Sequence, residues 1–300
     1  MERIEDGTRG TTSKIMSKIY FITGASSGFG HALAEEVLAR GDSAVLVARR
    51  ADALQALASK YPENALAVAM DVTNSEQRRT GVERALERFG RIDVLANIAG
   101  RGSLGALEEF SPEQMREHME LNFFAVLELT HALLPTMRAQ RSGHILNMTS
   151  NGGLVSMGGF ALYCASKFAV EGFSEGLRDE VKPLGIHVTI VEPGAFRTEF
   201  SGDVNMRPAE AIPDYEPVVE PIRQYLYGNN GKQPGDPQKA AIAMIAAVES
   251  DDPPLRLMLG ADAYGLWEKK RAALDAEFEK WRSVGLATAF DGAEVGAIGG

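Results

Sequence analysis

Short apolar runs rich in β-branched residues recur along this chain, and stretches with helical spacing separate them. The runs are Lys18–Thr23, Ser43–Ala48, Ala65–Met70, Ile92–Ala96, His144–Met148 and Ile186–Val191, with a shorter seventh at Leu255–Leu259. The helical patterns include His31–Arg40, Ser75–Phe89, Leu121–Arg138 and Leu162–Pro183. Near-continuous apolar runs belong to strands buried on both faces, and their alternation with helices makes the sheet parallel. Right-handed crossovers then lead to a doubly wound, Rossmann-type α/β fold with helices on both faces. The chain shows no internal repeat at solenoid spacing.

No Pro/Gly/Ser-rich linker splits the middle of the 300 residues, so one domain over residues 16–284 is expected. Residues 1–15 are polar and lack the apolar centre of a secretory signal. The run MSKIYFITG from Met16 looks like a natural start, so residues 1–15 are expected to be a disordered extension or a mis-assigned start. Glu199–Asp236 differs in character and carries Pro208, Pro213, Pro217, Pro221 and Pro234. It follows a strand end, where sheets of this kind bind ligands, so it reads as a mobile lid, with an ordinary surface insertion as the alternative. Residues 261–282 read as an amphipathic, charged helix, and the Gly/Ala-rich residues 285–300 as a frayed tail.

Composition narrows the field. An apolar fraction of 45% is enough for a sizeable core. The net charge of −10 argues against a nucleic-acid partner and against an anionic membrane surface. No apolar run approaches the ~18 residues of a membrane span. Cys164 is the only cysteine, so no intrachain disulfide can form and a reducing, cytoplasmic compartment fits. Its thiol is expected to be a buried, inert packing group. His31, His118, His131, His144 and His187 show no metal-ligand spacing and read as structural or solvent-facing, so no metal is expected.

Candidate chemistry begins at the first strand. The stretch TGASSGFG, Thr23 to Gly30, is a glycine turn between strand and helix. Gly24, Gly28 and Gly30 let the backbone bend tightly and approach a pyrophosphate, which the amides and dipole of the next helix then bind. Ser26, Ser27 and Phe29 share that turn and are expected contacts. An acidic residue at the end of the second strand would bind a ribose 2′-hydroxyl, but here VLVARR supplies Arg49 and Arg50. Arginine suits a 2′-phosphate through charge and forked hydrogen bonds, so NADP(H) is expected over NAD(H). Asp71, with Val72 beside it, ends the third strand. Its carboxylate is expected either to accept from the adenine amino group or to cap the next helix. Tyr163 and Lys167 are four residues apart and so share one helix face. An ammonium beside a phenol lowers its pKa from the ordinary value of about 10, which suits proton transfer near neutral pH.

Together, TGASSGFG, ANIAG, MTS and YCASK resemble the short-chain dehydrogenase/reductase family over about residues 16–260. The resemblance implies a reaction centre of Asn122, Ser150, Tyr163 and Lys167. Tyr163 would be the general acid in ketone reduction and the base in alcohol oxidation. Ser150 would hold the substrate oxygen near the nicotinamide. Lys167 would lower the Tyr163 pKa and hold the nicotinamide ribose. Asn122 would position a water that relays protons to Lys167. In VEPGAFRTEF, Pro193 and Gly194 would form the wall beside the nicotinamide, with the backbone near Phe196 and the Thr198 hydroxyl binding its carboxamide. Thr198 as a cap of the next helix is the alternative. Asn97, Ala99 and Gly100 would form the adenosine-side wall. Ile98 departs from the NNAG pattern common in the family, which puts the rigidity of that loop in question.

Between Ser150 and Tyr163 lie Gly152, Gly153, Leu154, Met157 and Phe160. With Phe196, Phe200, Met206 and Tyr215 they suggest an apolar pocket for a small-molecule carbonyl or alcohol. The family resemblance also implies a homodimer or homotetramer paired through Leu121–Arg138 and Leu162–Pro183, with the C-terminal helix favouring the dimer. Two other readings are a non-catalytic NADP(H)-binding sensor or scaffold, and an epimerase or dehydratase of the longer-chain relatives. The four reaction-centre positions disfavour the first, and the glycine turn and length disfavour the second.

Overall fold

The structure, a computed structural model, describes residues 17–202, 205–293 and 296. The expected extension at residues 1–15 lies outside the described residues, as do 294, 295 and 297–300 of the expected tail. The strands are β1 (Ile19–Thr23), β2 (Ser43–Ala48), β3 (Ala65–Ala69), β4 (Val94–Asn97), β5 (Gly143–Met148), β6 (Ile186–Pro193) and β7 (Arg256–Leu259). They form one seven-stranded parallel sheet in the order β3-β2-β1-β4-β5-β6-β7. The helices are α1 (Gly28–Ala39), α2 (Ala51–Ala58), α3 (Ser75–Phe89), α4 (Pro112–Met119), α5 (Ala125–Gln140), α6 (Ala161–Val181), α7 (Glu216–Gly228), α8 (Pro237–Glu249) and α9 (Ala261–Leu286).

The two-residue period of a strand divides the core into two layers. Tyr20 and Ile22 of β1, with Ala44 and Leu46 of β2, face Leu33 and Val37 of α1 and Met244 and Ile245 of α8. Phe21 of β1, with Val45 and Val47 of β2, faces the other way, toward Val82 of α3, Leu129 and Leu133 of α5, and Leu177 of α6. Local signals set the helix ends. Asn74 caps α3 by accepting from the Gln77 N–H at 3.0 Å, and Gly90 ends it at φ +74°. Ser111 and Gln114 form a capping box at the start of α4, with Pro112 in its first turn.

One break in regularity bears on function. Between α4 and α5, Glu120–Phe124 forms a π-turn, with the buried Asn122 at its centre. An inserted residue of this kind re-aims side chains and often marks a functional site. Sequence spacing alone predicts an uninterrupted helix from Leu121.

The strand order runs outward in opposite directions from β1 and β4, so a crevice opens beyond their carboxyl ends. The loop after β4 forms one wall. The Thr23 hydroxyl accepts from the N–H groups of Ile98 (2.9 Å) and Ala99 (3.0 Å) and donates to the Ala96 carbonyl (3.3 Å). The rigidity questioned at Ile98 is therefore supplied by Thr23, and Ile98 itself packs against the core. Thr23→Val leaves two loop amides without an acceptor. Chemical denaturation should show a loss of about 1–3 kcal/mol, whereas Thr23→Ser should stay near wild type. Equal loss in both variants would shift the cause from the hydroxyl to the methyl.

Candidate active site

The glycine turn has the shape an anion site requires. Gly24 and Gly28 have φ of +71° and +54°, where other residues are strained. A Cβ at Gly30 would collide with the Gly24 carbonyl, so only glycine fits there. Ser27 stands at the cap position of α1 without making a side-chain cap bond, which leaves the helix-start amides to the crevice. These features fit a dinucleotide pyrophosphate. Phe29 is held outside the turn against Phe196, with ring centroids 5.1 Å apart.

At the end of β2, Arg50 reaches back over the same turn. Its Nε donates to Ser26 Oγ at 3.3 Å and its Nη2 to the Ser26 carbonyl at 3.2 Å. Glu199 approaches the same guanidinium at 3.4 Å. Arg49 is exposed, and its charge acts on Asp71. Burial pushes the Asp71 carboxyl up. Hydrogen bonds from the Thr73 N–H and hydroxyl, together with Arg49 and Arg78, more than offset this and hold it below its ordinary value. Asp71 therefore closes a local turn onto Thr73, and Asn74 is the cap of α3. Val72 is buried in the core, and its carbonyl accepts from Arg78 at 2.5 Å. Asn97 is also turned inward, donating to Asn147 at 2.9 Å and Thr130 at 3.2 Å, so its side chain ties β4 to β5 and α5. Ala99 lies against Gly24.

Gly100 lies beside the four expected reaction-centre residues. A Cβ there would sit 3.2 Å from Asn122 Oδ1 and 3.4 Å from Lys167 Nζ. A Cβ at Gly152 would sit 3.0 Å from the Tyr163 ring and 3.5 Å from Ser150 Oγ. Lys167 Nζ lies 5.9 Å from the Tyr163 ring centroid and donates to the Met148 carbonyl at 3.0 Å. Ser150 Oγ accepts from the Gly152 N–H and donates to Asn151 Oδ1, each at 3.0 Å. Asn122 Nδ2 donates to the Arg101 carbonyl (2.8 Å) and Ser166 Oγ (3.1 Å) and lies 3.0 Å from His118 Nε2, while its Oδ1 accepts from the Arg101 N–H (3.0 Å). The amide thus latches the loop after β4 to α6.

The electrostatics correct one expectation. Burial pushes the Tyr163 phenol above its ordinary value, its hydrogen bond with Ser150 pulls it down, and Lys167 is not among the groups that shift it. Lys167 is itself pushed down to about 8 by burial, with Glu171 opposing the fall.

Beyond β6, Gly194 donates its N–H to Leu259 at 2.8 Å, and Asp262 accepts from the Ala195 N–H at 2.7 Å. Phe196 pairs with Gly235, and its ring lies against Phe29. The Thr198 hydroxyl accepts from the Phe200 N–H at 3.3 Å and so caps the following turn, while its methyl faces Gly28. The apolar set divides accordingly. Phe200 and Phe160 flank the Tyr163 ring at 5.5 and 6.0 Å, with Leu104 and Val219 in the same cluster. Met206 joins Phe110 and Leu162 instead, Gly153 lies against Glu171, and Met157 is exposed.

Two groups escaped the sequence reading. His118 is fully buried against Asn122, and its ring lies 6.3 Å from that of Tyr163. Burial, then Arg101 and Lys167, push its pKa down to about 4. Its spacing of four from Asn122 was the available signal. The second is a buried acid pair, Glu171 and Glu192, capped by Arg256. Arg256 bonds Glu171 at 2.6 Å and also Glu192 and Glu175. Glu171 follows Lys167 by four, on the face that carries Tyr163. Burial pushes both acids above the usual carboxylate range, Glu192 to about 7, while Arg256 pulls both down.

A parallel sheet with a glycine turn after its first strand and a Ser-Tyr-Lys cluster after its fifth is the arrangement of a dehydrogenase fold. Residues 18–209 match the family model described as short chain dehydrogenase. The chain is 38% identical over 275 residues to "Oxidoreductase BOA17" of Botryotinia fuckeliana, covering 91% of this chain and 100% of the relative. It is 36% identical over 262 residues to a 3-ketodihydrosphingosine reductase of Bacteroides thetaiotaomicron, covering 86% and 93%. A short-chain dehydrogenase structure from Streptomyces avermitilis superposes with a TM-score of 0.85 at 44% identity, covering 91% of this chain and 99% of that one. An alcohol dehydrogenase from Thermococcus sibiricus, complexed with 5-hydroxy-NADP, superposes with a TM-score of 0.67 at 26% identity, covering 81% and 96%. The chain belongs to the short-chain dehydrogenase/reductase family and is an oxidoreductase acting on CH–OH groups.

The acid pair makes stability depend on pH with a definite sign. A carboxyl whose folded pKa is raised keeps its proton where the unfolded chain has already lost it. The folded state then binds more protons, so this contribution falls as pH rises from about 4.3 toward neutrality. Glu192→Gln removes the Glu192 titration. The melting temperature of the variant should gain on wild type across that range, and a constant difference would show that burial does not raise the Glu192 carboxyl.

Proposed function

We propose that the protein is an NADP(H)-dependent carbonyl reductase/alcohol dehydrogenase for an apolar substrate, with Tyr163 as proton donor in the reducing direction. The observation that carries this reading is the buried Tyr163 phenol, flanked by Ser150 and an aromatic wall. Because burial raises its pKa, the phenol keeps its proton at neutral pH, which suits a general acid. Bound NADPH supplies the hydride. The Tyr163 hydroxyl gives its proton to the oxygen of the carbonyl being reduced. Ser150 Oγ, oriented by the Gly152 N–H, turns its own proton to the same oxygen and stabilises the charge developing there. Lys167 holds positive charge beside the phenol, and Asn122 fixes the loop that carries Gly100. Phe160 and Phe200 exclude water from the phenol. The name of the Bacteroides thetaiotaomicron relative, a keto-group reductase, supports the reducing direction.

Gly24, Gly28 and Gly30 would hold the pyrophosphate, while Arg49 and Arg50 would meet a 2′-phosphate. Arg50 already lies over Ser26 at the right strand end, which supports NADP(H). Residues 199–236 act as the substrate lid. Their anchors support an ordered cover: Asn205 accepts from the Gly102 N–H at 3.0 Å, and the Ile212 N–H donates to Glu109 at 2.7 Å. Subunits pair through α5 and α6, as a homodimer or homotetramer; Phe124, just before α5, and Phe168 of α6 are exposed there. No helix among the described residues is long and apolar enough to cross a membrane. The single, buried cysteine suits work in the reducing cytoplasm.

A panel of aldehydes, ketones and diketones with NADPH or NADH tests the reaction. Tyr163→Phe should lower turnover by about 10²–10⁴-fold while NADPH affinity stays within a few-fold of wild type. Retained turnover would eliminate the proposed proton donor. The double variant Arg49→Ala/Arg50→Ala should weaken NADPH binding by about tenfold to a hundredfold, the worth of charge-assisted bonds, and leave NADH unchanged. Equal weakening of both nucleotides would refute the 2′-phosphate assignment.

A further inference from the structure

The last helix is the part of the molecule least accounted for by the fold. α9 has 26 residues and spans about 39 Å at 1.5 Å per residue. Ala263 is its only buried residue, and the Asp262 carboxylate is anchored on the Ala195 N–H. From Arg271 to Leu286 every residue is exposed except the half-buried Leu274. Phe278 and Trp281 are 67% and 58% exposed. Most helical stability in proteins comes from packing an apolar face, which the outer half of α9 lacks within this chain. Exposed apolar side chains such as Phe278 and Trp281 mark a docking surface; Tyr264, Val284 and Leu286 are also exposed but lie off that face, and Trp267 is half-buried.

The face has a pattern. Trp267, Leu274 and Trp281 recur every seven residues, and Phe278 lies one turn beyond Leu274, so they form one stripe. Lys270 and Glu277 flank one side of it, and Glu268, Asp275 and Arg282 the other. The sequence between the two tryptophans is self-complementary about Leu274. When two such helices run antiparallel and cross at Leu274, each Lys270 faces Glu277 of the second copy, and each Glu268 faces its Arg282. Trp267 of each copy meets Trp281 of the other. A parallel pair would instead set Arg271 against its own twin beside the seam. Between Trp267 and Trp281 the basic residues Lys269, Lys270, Arg271 and Lys280 are matched by the acidic Glu268, Asp275, Glu277 and Glu279. An anionic lipid surface calls for a predominantly basic polar face, which this is not.

We propose that α9 is a second self-association surface, on which two copies of this chain pair antiparallel about Leu274. It is separate from the α5 and α6 faces and independent of the cofactor and substrate reading. Three full-length variants test it. Trp281→Glu should halve the particle mass in solution at micromolar concentration with unchanged far-UV circular dichroism. Lys270→Glu should raise the dissociation constant at this contact at least tenfold, and Lys270→Glu/Glu277→Lys should restore it to within threefold of wild type. Under mild oxidation Leu274→Cys should give a covalent dimer, whereas Ala272→Cys, on the opposite face of the helix, should not. An unchanged mass for Trp281→Glu would overturn the proposal. A charge swap weaker than the single reversal, or cross-linking at Ala272 as ready as at Leu274, would also overturn it. So would an unchanged mass with α9-dependent binding to vesicles containing anionic lipid.

Discussion

Lys167 carries an ammonium into a place where water cannot solvate it, and its surroundings have to answer that charge. Burial of an unpaired cation costs several kcal/mol, so the group must lose its proton or find partners. Here the answer comes in parts. The carbonyl of Met148, at the end of β5, accepts one hydrogen bond. Glu171, one helical turn away, supplies opposing charge, and Arg256 on β7 balances Glu171 and Glu192 in turn. The strand order makes this possible. β6 lies between β5 and β7, so the carbonyl, the second acid and the arginine all reach the same side of α6.

The same burial that strains the lysine keeps the tyrosine protonated. A solvent-exposed phenol would trade its proton with water and gain little from neighbours. At Tyr163, aromatic rings on two sides and Ser150 on the third leave few places for that proton to go. The loop walls hold this arrangement through backbone bonds rather than bulk. Thr23 gathers the amides after β4, and Asn122 clasps Arg101 from a π-turn. The centre is assembled from strand ends and one helix face, with side chains in the loops used mainly as fasteners.

The sheet was legible because its signal is repeated and redundant. Each strand is an apolar run of the right length, and misreading one would not have changed the order of the rest. β4 starts two residues later than its run, at Val94, and β1 and β7 each start one residue later than theirs. Motif spacing named Asn122, Ser150, Tyr163 and Lys167, and the structure gathers them around Gly100 and Gly152. What spacing could not give was direction. Asn97 and Val72 sit in motifs that border the crevice, yet their side chains point into the core. Asp71 and Thr198 satisfy neighbouring backbone groups. Phe196 belongs with Phe29 rather than with the tyrosine. The Tyr163–Lys167 spacing was read correctly as a shared face, but the effect of one charge on another depends on burial, which spacing does not contain. Glu192 had no sequence signal, because its partners lie on α6 and β7, far along the chain.

The distribution of tryptophan has a practical consequence. The chain contains two, Trp267 and Trp281, and both belong to α9. The sheet and the helices that cover it contain none. Intrinsic tryptophan emission therefore reports on the C-terminal helix and is silent about the dehydrogenase core. Elements with few buried contacts open at lower free energy than a core sheet, so an emission-monitored unfolding curve need not coincide with one from circular dichroism. A change in emission on adding a ligand would likewise speak first of this helix and its contacts, not of the crevice beyond β1 and β4.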